Sequence, residues 1–381
     1  MNTFALVTLL VLAGCQMSRV AGGDDRAGVP IEPTREPTLP EAAEGRFLIG
    51  TAIMARALDD PAVADLIRTQ YNAITAENEL KPKSVQPEPG AFDFTAGDKL
   101  ADFAEANDIA LIGHTLVWHQ QAPAWMFEDE AGEPLPRDEA LENMRAHIHT
   151  VVKHFKGRVH GWDVVNEAIS DNGPYLRDTP ALRAIGDDYV IKAFEFAREA
   201  DPDVELYYND FNIELDYKRD KALRLLAELD AAGVRPDRVG IQGHWLIGGP
   251  DIEQLERGLT AYFDAGYDID ITELDIDMLP RDAAGADLDI SPGAVGNPYA
   301  DGLPDERQQA LADRYREIFE LLTKYDERIS RVTFWGTHDG ATWLNGWPVR
   351  GRTNHPLLFD RQLQPKPAFD AVIEVLQAKK Q

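Results

Sequence analysis

From Arg46 to the end of the chain two kinds of segment alternate, and this alternation limits the fold more than any other feature of the sequence. Short runs rich in Val, Ile and aromatic residues fall at 47–53, 71–78, 110–118, 159–167, 205–211, 239–245, 269–275 and 331–338. Longer amphipathic stretches follow them near 58–69, 97–107, 138–155, 187–200, 216–232, 251–265, 305–325 and 366–379. In 138–155, Leu141, Met144, Ile148, Val151, Val152 and Phe155 recur at helical spacing with charged residues between them. Near-continuous apolar strands joined by helical crossovers imply a parallel sheet. Eight such units predict an α/β fold closed into a (β/α)8 TIM barrel. An open doubly wound sheet is the alternative. It usually carries a Gly-rich phosphate turn after its first strand, and Gly50-Thr51-Ala52 is not that turn.

Ahead of the alternating region the sequence changes character. Residues 4–13 form an apolar run too short to span a bilayer but suited to the core of a signal peptide. Leu12-Ala13-Gly14-Cys15 then resembles the bacterial lipoprotein box, in which the cysteine is lipidated and becomes the new N-terminus. Met1-Asn2-Thr3 departs from that pattern by carrying no Lys or Arg, which leaves an ordinary secretory signal as the alternative. Residues 16–45, rich in Gly, Pro, Glu and Thr, read as a flexible tether, and 46–381 as the barrel. These features predict an exported chain anchored by lipid in a bacterial envelope, at the periplasm or cell surface, and otherwise secreted.

Cys15 is the single cysteine, so an intramolecular disulfide and a Cys-rich metal site are both excluded. The formal net charge is −28. A surface this acidic repels nucleic acid and anionic headgroups, and a neutral polymer suits it better. The same charge would also serve simply to keep an exported protein soluble.

In a barrel of this kind the C-terminal ends of the strands form the active-site face. The second strand segment ends in Glu77-Asn78, followed by Lys81. The third carries His114, Trp118 and His119, and the fourth ends in Asn166-Glu167. The fifth gives Tyr208, Asn209 and Asp210, the sixth Gln242 and His244, and the seventh Glu273 and Asp275. The eighth gives Trp335, His338 and Asp339, with Trp343 and Trp347 beyond. Isolated polar strand ends are ordinary solvated edges, but stability does not require carboxylates, amides, imidazoles and tryptophans at the same end of seven strands. Pyranose rings explain the mixture: their C–H faces stack on tryptophan and their hydroxyl edges need polar partners. Glycoside hydrolysis needs two carboxyl groups across the scissile bond, one protonated and one ionised. Glu167 and Glu273, three βα units apart, predict such a pair on opposite sides of the barrel mouth.

Six stretches carry a definite resemblance. Thr75-Ala76-Glu77-Asn78-Glu79-Leu80-Lys81, Gly113-His114-Thr115-Leu116-Val117-Trp118-His119, Trp162-Asp163-Val164-Val165-Asn166-Glu167, Tyr208-Asn209-Asp210, Gly240-Ile241-Gln242-Gly243-His244 and Ile271-Thr272-Glu273-Leu274-Asp275 resemble glycoside hydrolase family 10, the endo-β-1,4-xylanases. The resemblance covers roughly 46–379 and includes Trp335-Gly336 and Trp343. It implies retaining cleavage of internal bonds in xylan, with Glu167 as general acid/base and Glu273 as nucleophile about 5–5.5 Å apart. It also implies that Asn166 binds the 2-hydroxyl of the sugar being cleaved, and that Asp275 orients His244, which in turn keeps Glu273 ionised. Repulsion between the two carboxylates then helps keep Glu167 protonated. Glu77, Asn78, Lys81, His114, Trp118, Gln121 and Gln242 match positions for the non-reducing-side sugars. Trp335 and Trp343 match walls of the cleavage point, and Tyr208 and Asn209 fit the reducing side.

No cofactor or metal is implied, and the partner is xylan or xylo-oligosaccharide bound by a monomer. Two rivals are weaker. Metal-dependent amidohydrolase barrels usually open with His-x-His on the first strand, where Thr51 and Ala52 stand here. A non-catalytic glycan-binding lipoprotein would most simply have lost one of the two glutamates. The connection 281–304 is long and rich in Asp, Gly, Ala and Pro, and either borders the groove or is a surface excursion.

Overall fold

The computed structural model describes residues 37–279, 297–348 and 350–378. Strands β1 (Leu48–Ile53), β2 (Ala73–Ala76), β3 (Ala110–Trp118), β4 (Gly161–Asn166), β5 (Glu205–Asp210), β6 (Arg238–Ile241), β7 (His244–Leu246), β8 (Ile269–Asp277) and β9 (Ile329–Phe334) are joined by helices as the alternation predicts, except at β6 and β7. Every ladder between them is parallel. β1 pairs with both β2 and β9, and β6 pairs with β8, so eight strands close into a ring. This is the (β/α)8 barrel expected from the sequence. The helix Arg137–His154 buries Met144, Ile148, Val151 and Val152 along one face, as its spacing requires.

The ninth strand arises from a break in the sixth segment. Gly243 adopts φ +82°, a left-handed conformation that side-chain-bearing residues rarely take. β6 stops before it and β7 resumes after it, now paired only with β8. Across the break the ladder slips by one residue. Ile241 faces Ile271, whereas His244 faces Asp275 rather than Leu274. The β8–β9 ladder shifts in the same stretch, between Ile271 and Leu274. Such bulges re-aim side chains and cluster beside active sites.

The tether expected over 16–45 is too long at its far end. A one-turn helix, Leu39–Ala42, is closed by a capping box in which Thr38 and Glu41 satisfy each other's backbone N–H groups. Leu39 is fully buried and its N–H donates to Gln70. The packed body therefore begins by Thr38. The expected signal segment, Cys15 and the tether up to residue 36 lie outside the described residues, as do 280–296 of the long connection. The part of that connection that is described is tied down, since Asn297 exchanges hydrogen bonds with Thr353. Among the described residues no helix is long and apolar enough to cross a membrane.

Candidate active site

Glu167 follows the last residue of β4 and holds φ +58°. A non-glycine residue there is uncommon and is kept only where its surroundings fix it. Here its N–H donates to the Asn209 carbonyl at 2.9 Å and its own carbonyl accepts from Arg177 at 3.2 Å. Its carboxylate accepts from Trp118 at 3.0 Å and from Gln242 at 3.1 Å. Glu273, on β8, accepts from Asn209 at 2.7 Å and lies 3.1 Å from Nε2 of His244.

The two carboxylates are bridged by amides. Gln242 donates to Glu167 and to Asn166, and Asn209 donates to Asn166 and to Glu273. The Asn166 Oδ1 accepts both of these donors, so its own amide group remains as a donor beside the pair, 3.4 Å from Glu167. Asn209 is fixed in turn by Thr272, whose hydroxyl donates to its Oδ1 at 2.6 Å. Thr272 and Glu273 are consecutive, yet both reach Asn209. A regular strand would send them to opposite faces, and the bulge in β8 brings them together.

His244, Glu273 and Asp275 form a charge-alternating chain. Nδ1 of His244 lies 3.0 Å from Asp275, which also accepts from Trp343 at 2.7 Å. Burial alone would depress the imidazole, but Asp275 and Glu273 outweigh it and push its pKa up to about 10. For Glu273, burial raises the carboxyl, and the hydrogen bond from His244, the charges of His114 and His244 and the bond from Asn209 together overcome it. The net direction is down. Glu273, only 4% exposed, is therefore held ionised.

A second polar group gathers around Lys81 and Glu77. Lys81 donates to Asn78 at 3.1 Å and sits 4.7 Å over the Trp118 ring. Burial lowers its pKa, opposed by Glu273, Glu77 and Glu167. Gln121 reaches Asn78 at 3.4 Å. Glu77 is pushed up to about 7, first by burial and only partly restrained by Lys81. His114 is held by Asp163 at 2.8 Å, and its ring packs against Trp335 at 5.4 Å. Trp343 lies 4.8 Å from the His244 ring.

Two residues expected on the reducing side are elsewhere. Tyr208 is fully buried and its hydroxyl donates to Asp210 at 2.6 Å. Asn209 is also fully buried and holds Glu273 from below the surface. Neither has surface to offer a sugar. Sequence reasoning missed Thr272, Asp163, Arg177 and Lys218. Of these, Asp163 and Thr272 lie inside the quoted motifs, in the same stretches as Glu167 and Glu273, which was the available signal. Among the described residues no group of three or more His, Cys, Asp or Glu is arranged to hold a metal ion.

A closed α/β barrel with two amide-bridged carboxylates at its mouth, flanked by tryptophans and hydroxyl-binding side chains, has the arrangement of a glycoside hydrolase. Comparison with known proteins agrees. The family model described as glycosyl hydrolase family 10 matches residues 38–375. The chain is 42% identical over 346 residues to endo-1,4-beta-xylanase A of Xylanibacter ruminicola, covering 89% of this chain and 94% of that protein. It is 40% identical to endo-1,4-beta-xylanase B of Paenibacillus barcinonensis, over 89% of this chain and 98% of that one. Among solved structures, a GH10 endoxylanase from a sugarcane soil metagenome superposes with a TM-score of 0.83 at 38% identity, covering 89% and 99% of the two chains. The xylanase XynB of Paenibacillus barcinonensis, complexed with a conduramine derivative, superposes with a TM-score of 0.81 at 39% identity, over 89% and 99%. The chain belongs to glycosyl hydrolase family 10.

Proposed function

We propose that this chain is a retaining endo-1,4-β-xylanase. The observation that carries the assignment of roles is the asymmetry of the two glutamates. Glu273 is held ionised by His244 and Asn209, as a nucleophile must be. Glu167 lies across an amide bridge from it, where an acid/base belongs. In the first step Glu273 attacks the anomeric carbon while Glu167 protonates the departing glycosidic oxygen, giving a covalent xylosyl-enzyme. In the second, Glu167 takes a proton from water, which displaces Glu273 with a second inversion. Asn166 donates to the 2-hydroxyl of the sugar at the cleavage point, a bond that strengthens as the transition state forms. Glu77, Asn78, Lys81, His114, Trp118, Gln121 and Gln242 grip the non-reducing-side sugars. Trp335 and Trp343 wall the sugar being cleaved.

We further propose that the enzyme works as an exported monomer tethered through a lipid on Cys15. Labelled fatty acid retained by the wild type and lost in Cys15→Ala tests the anchor.

The mechanism is tested on xylan with reducing-sugar release. Glu273→Gln abolishes release. Glu167→Ala leaves activity only on substrates with good leaving groups, and azide restores turnover with a β-configured product. An α-configured azide product, or full xylan activity in either variant, overturns these roles.

A further inference from the structure

Behind Glu167 lies an ion-pair network that the reaction scheme does not use. Lys218, near the start of the helix Asp216–Ala231, has no exposed surface. Its ammonium lies 2.8 Å from Asp210 and 3.0 Å from Asp171, and 3.7 Å over the Phe211 ring. Asp171 in turn pairs with Arg177 at 2.8 Å. Two cations thus balance two carboxylates, and Lys218, Asp171 and Asp210 are buried. Taking such charges out of water is costly, and a packed apolar cluster of the same volume is often at least as stable. Stability alone is thus a weak reason for such a network.

Its position supplies another reason. Asp210 is the last residue of β5, and it also accepts from the Ile169 N–H at 3.3 Å. Arg177 donates to the Glu167 carbonyl at 3.2 Å and to the Ile169 carbonyl at 3.4 Å. Lys221 donates to the carbonyls of Ser170 and Gly173 at 2.7 and 2.8 Å. The segment between Glu167 and Arg177 folds back on itself, with Arg177 N–H to Ala168 carbonyl at 2.8 Å and Ser170 N–H to Tyr175 carbonyl at 2.8 Å. The network therefore fastens the whole loop that leaves Glu167, on the side where Glu167 holds its left-handed backbone.

We infer that Lys218 and Arg177 are positioning residues for the acid/base: through Asp171 and Asp210 they fix the loop after β4 and so the direction of the Glu167 carboxyl. Lys218 is sealed from solvent and cannot touch a sugar, so its effect reaches the reaction through the residues it holds. This inference rests on the proposed role of Glu167.

The test separates proton transfer from general damage. Lys218→Met and Arg177→Met are assayed on xylan, whose departing sugar needs a proton, and on a dinitrophenyl β-xylobioside, whose phenolate does not. If the two residues aim the acid, kcat/KM on xylan falls about 10²-fold, within the range of general acid–base catalysis. On the dinitrophenyl substrate kcat/KM changes less than about threefold, and its kcat falls but recovers with azide, because deglycosylation still needs the base. Equal losses on both substrates without azide recovery would mean a merely structural role and overturn the inference. An unchanged xylan rate in both variants would overturn it as well. Should Lys218→Met not fold, Arg177→Met decides by the same ratios, its side chain being partly exposed. Glu167→Ala run alongside separates the two readings. If Glu167→Ala shows the leaving-group pattern and the Met variants do not, the positioning role fails while the role of Glu167 stands. If Glu167→Ala lacks the pattern too, the role of Glu167 fails.

Discussion

His244→Asn should move the acid limb of the pH profile upward by one to two units. Glu273 is ionised in the native site because the hydrogen bond from His244, the charges of His114 and His244 and the bond from Asn209 overcome its burial. The substitution removes the positively charged donor, leaving a neutral amide and a second carboxylate, Asp275, close by. A hydrogen bond to a charged group contributes about 1.5–3 kcal/mol. Each pKa unit corresponds to about 1.36 kcal/mol, so the loss is worth about one to two units on Glu273. The direction follows from the chemistry. The bond favours the ionised form, so its removal raises the pKa, and the nucleophile becomes protonated at pH values where the wild type is still active. Asn209, at 2.7 Å, remains and limits the rise. The assay is kcat/KM against pH on an aryl β-xylobioside with a good leaving group, so that the acid limb reports the nucleophile rather than Glu167. An acid limb that stays in place while activity falls equally at every pH would refute the reasoning, because His244 would then act on geometry alone.

Other outcomes follow from residues already placed. Glu77 stands near pH 7, protonated below and ionised above, so KM for xylo-oligosaccharides should change across that pH, and Glu77→Gln should flatten this dependence in a plot of KM against pH. Leu39→Ala should cost about 2–5 kcal/mol by denaturant unfolding, as for other fully buried leucines. Xylan should be cleaved clearly and carboxymethylcellulose little, and equal rates on the two would remove the xylanase assignment but not the two-glutamate mechanism. Activity should survive strong chelation, and its loss with recovery on adding a divalent metal would contradict the metal-free scheme.

Most of the barrel was legible because its signals are long. Eight apolar runs separated by helical periodicity leave few alternatives, and the predicted segments match the strands to within a few residues. Where the reading failed, the signal was short or local. Residues 37–45 look like the Pro- and Glu-rich stretch before them, and a one-turn helix is too brief to show periodicity. The Thr38-x-x-Glu41 capping box was its only mark. In the sequence Tyr208 and Asn209 look like neighbours at the same rim. Consecutive residues of a strand alternate in direction, so they could not both face the sugar, and in fact neither does. The slip at Gly243 was invisible because register depends on the partner strand. Arg177 and Lys218 escaped because each looks like an ordinary helix or loop cation until the fold buries its partners.

The irregularity of β8 has a consequence for anyone who would build such an enzyme afresh. An idealised barrel, with uniform strands and unbroken ladders, would send Thr272 and Glu273 to opposite walls and set His244 against Leu274. Copying the six motif stretches onto that scaffold would then reproduce the letters of the site without its proton chemistry. The portable unit is larger than the list of side chains. It includes a glycine that interrupts one strand and an extra residue that kinks the next.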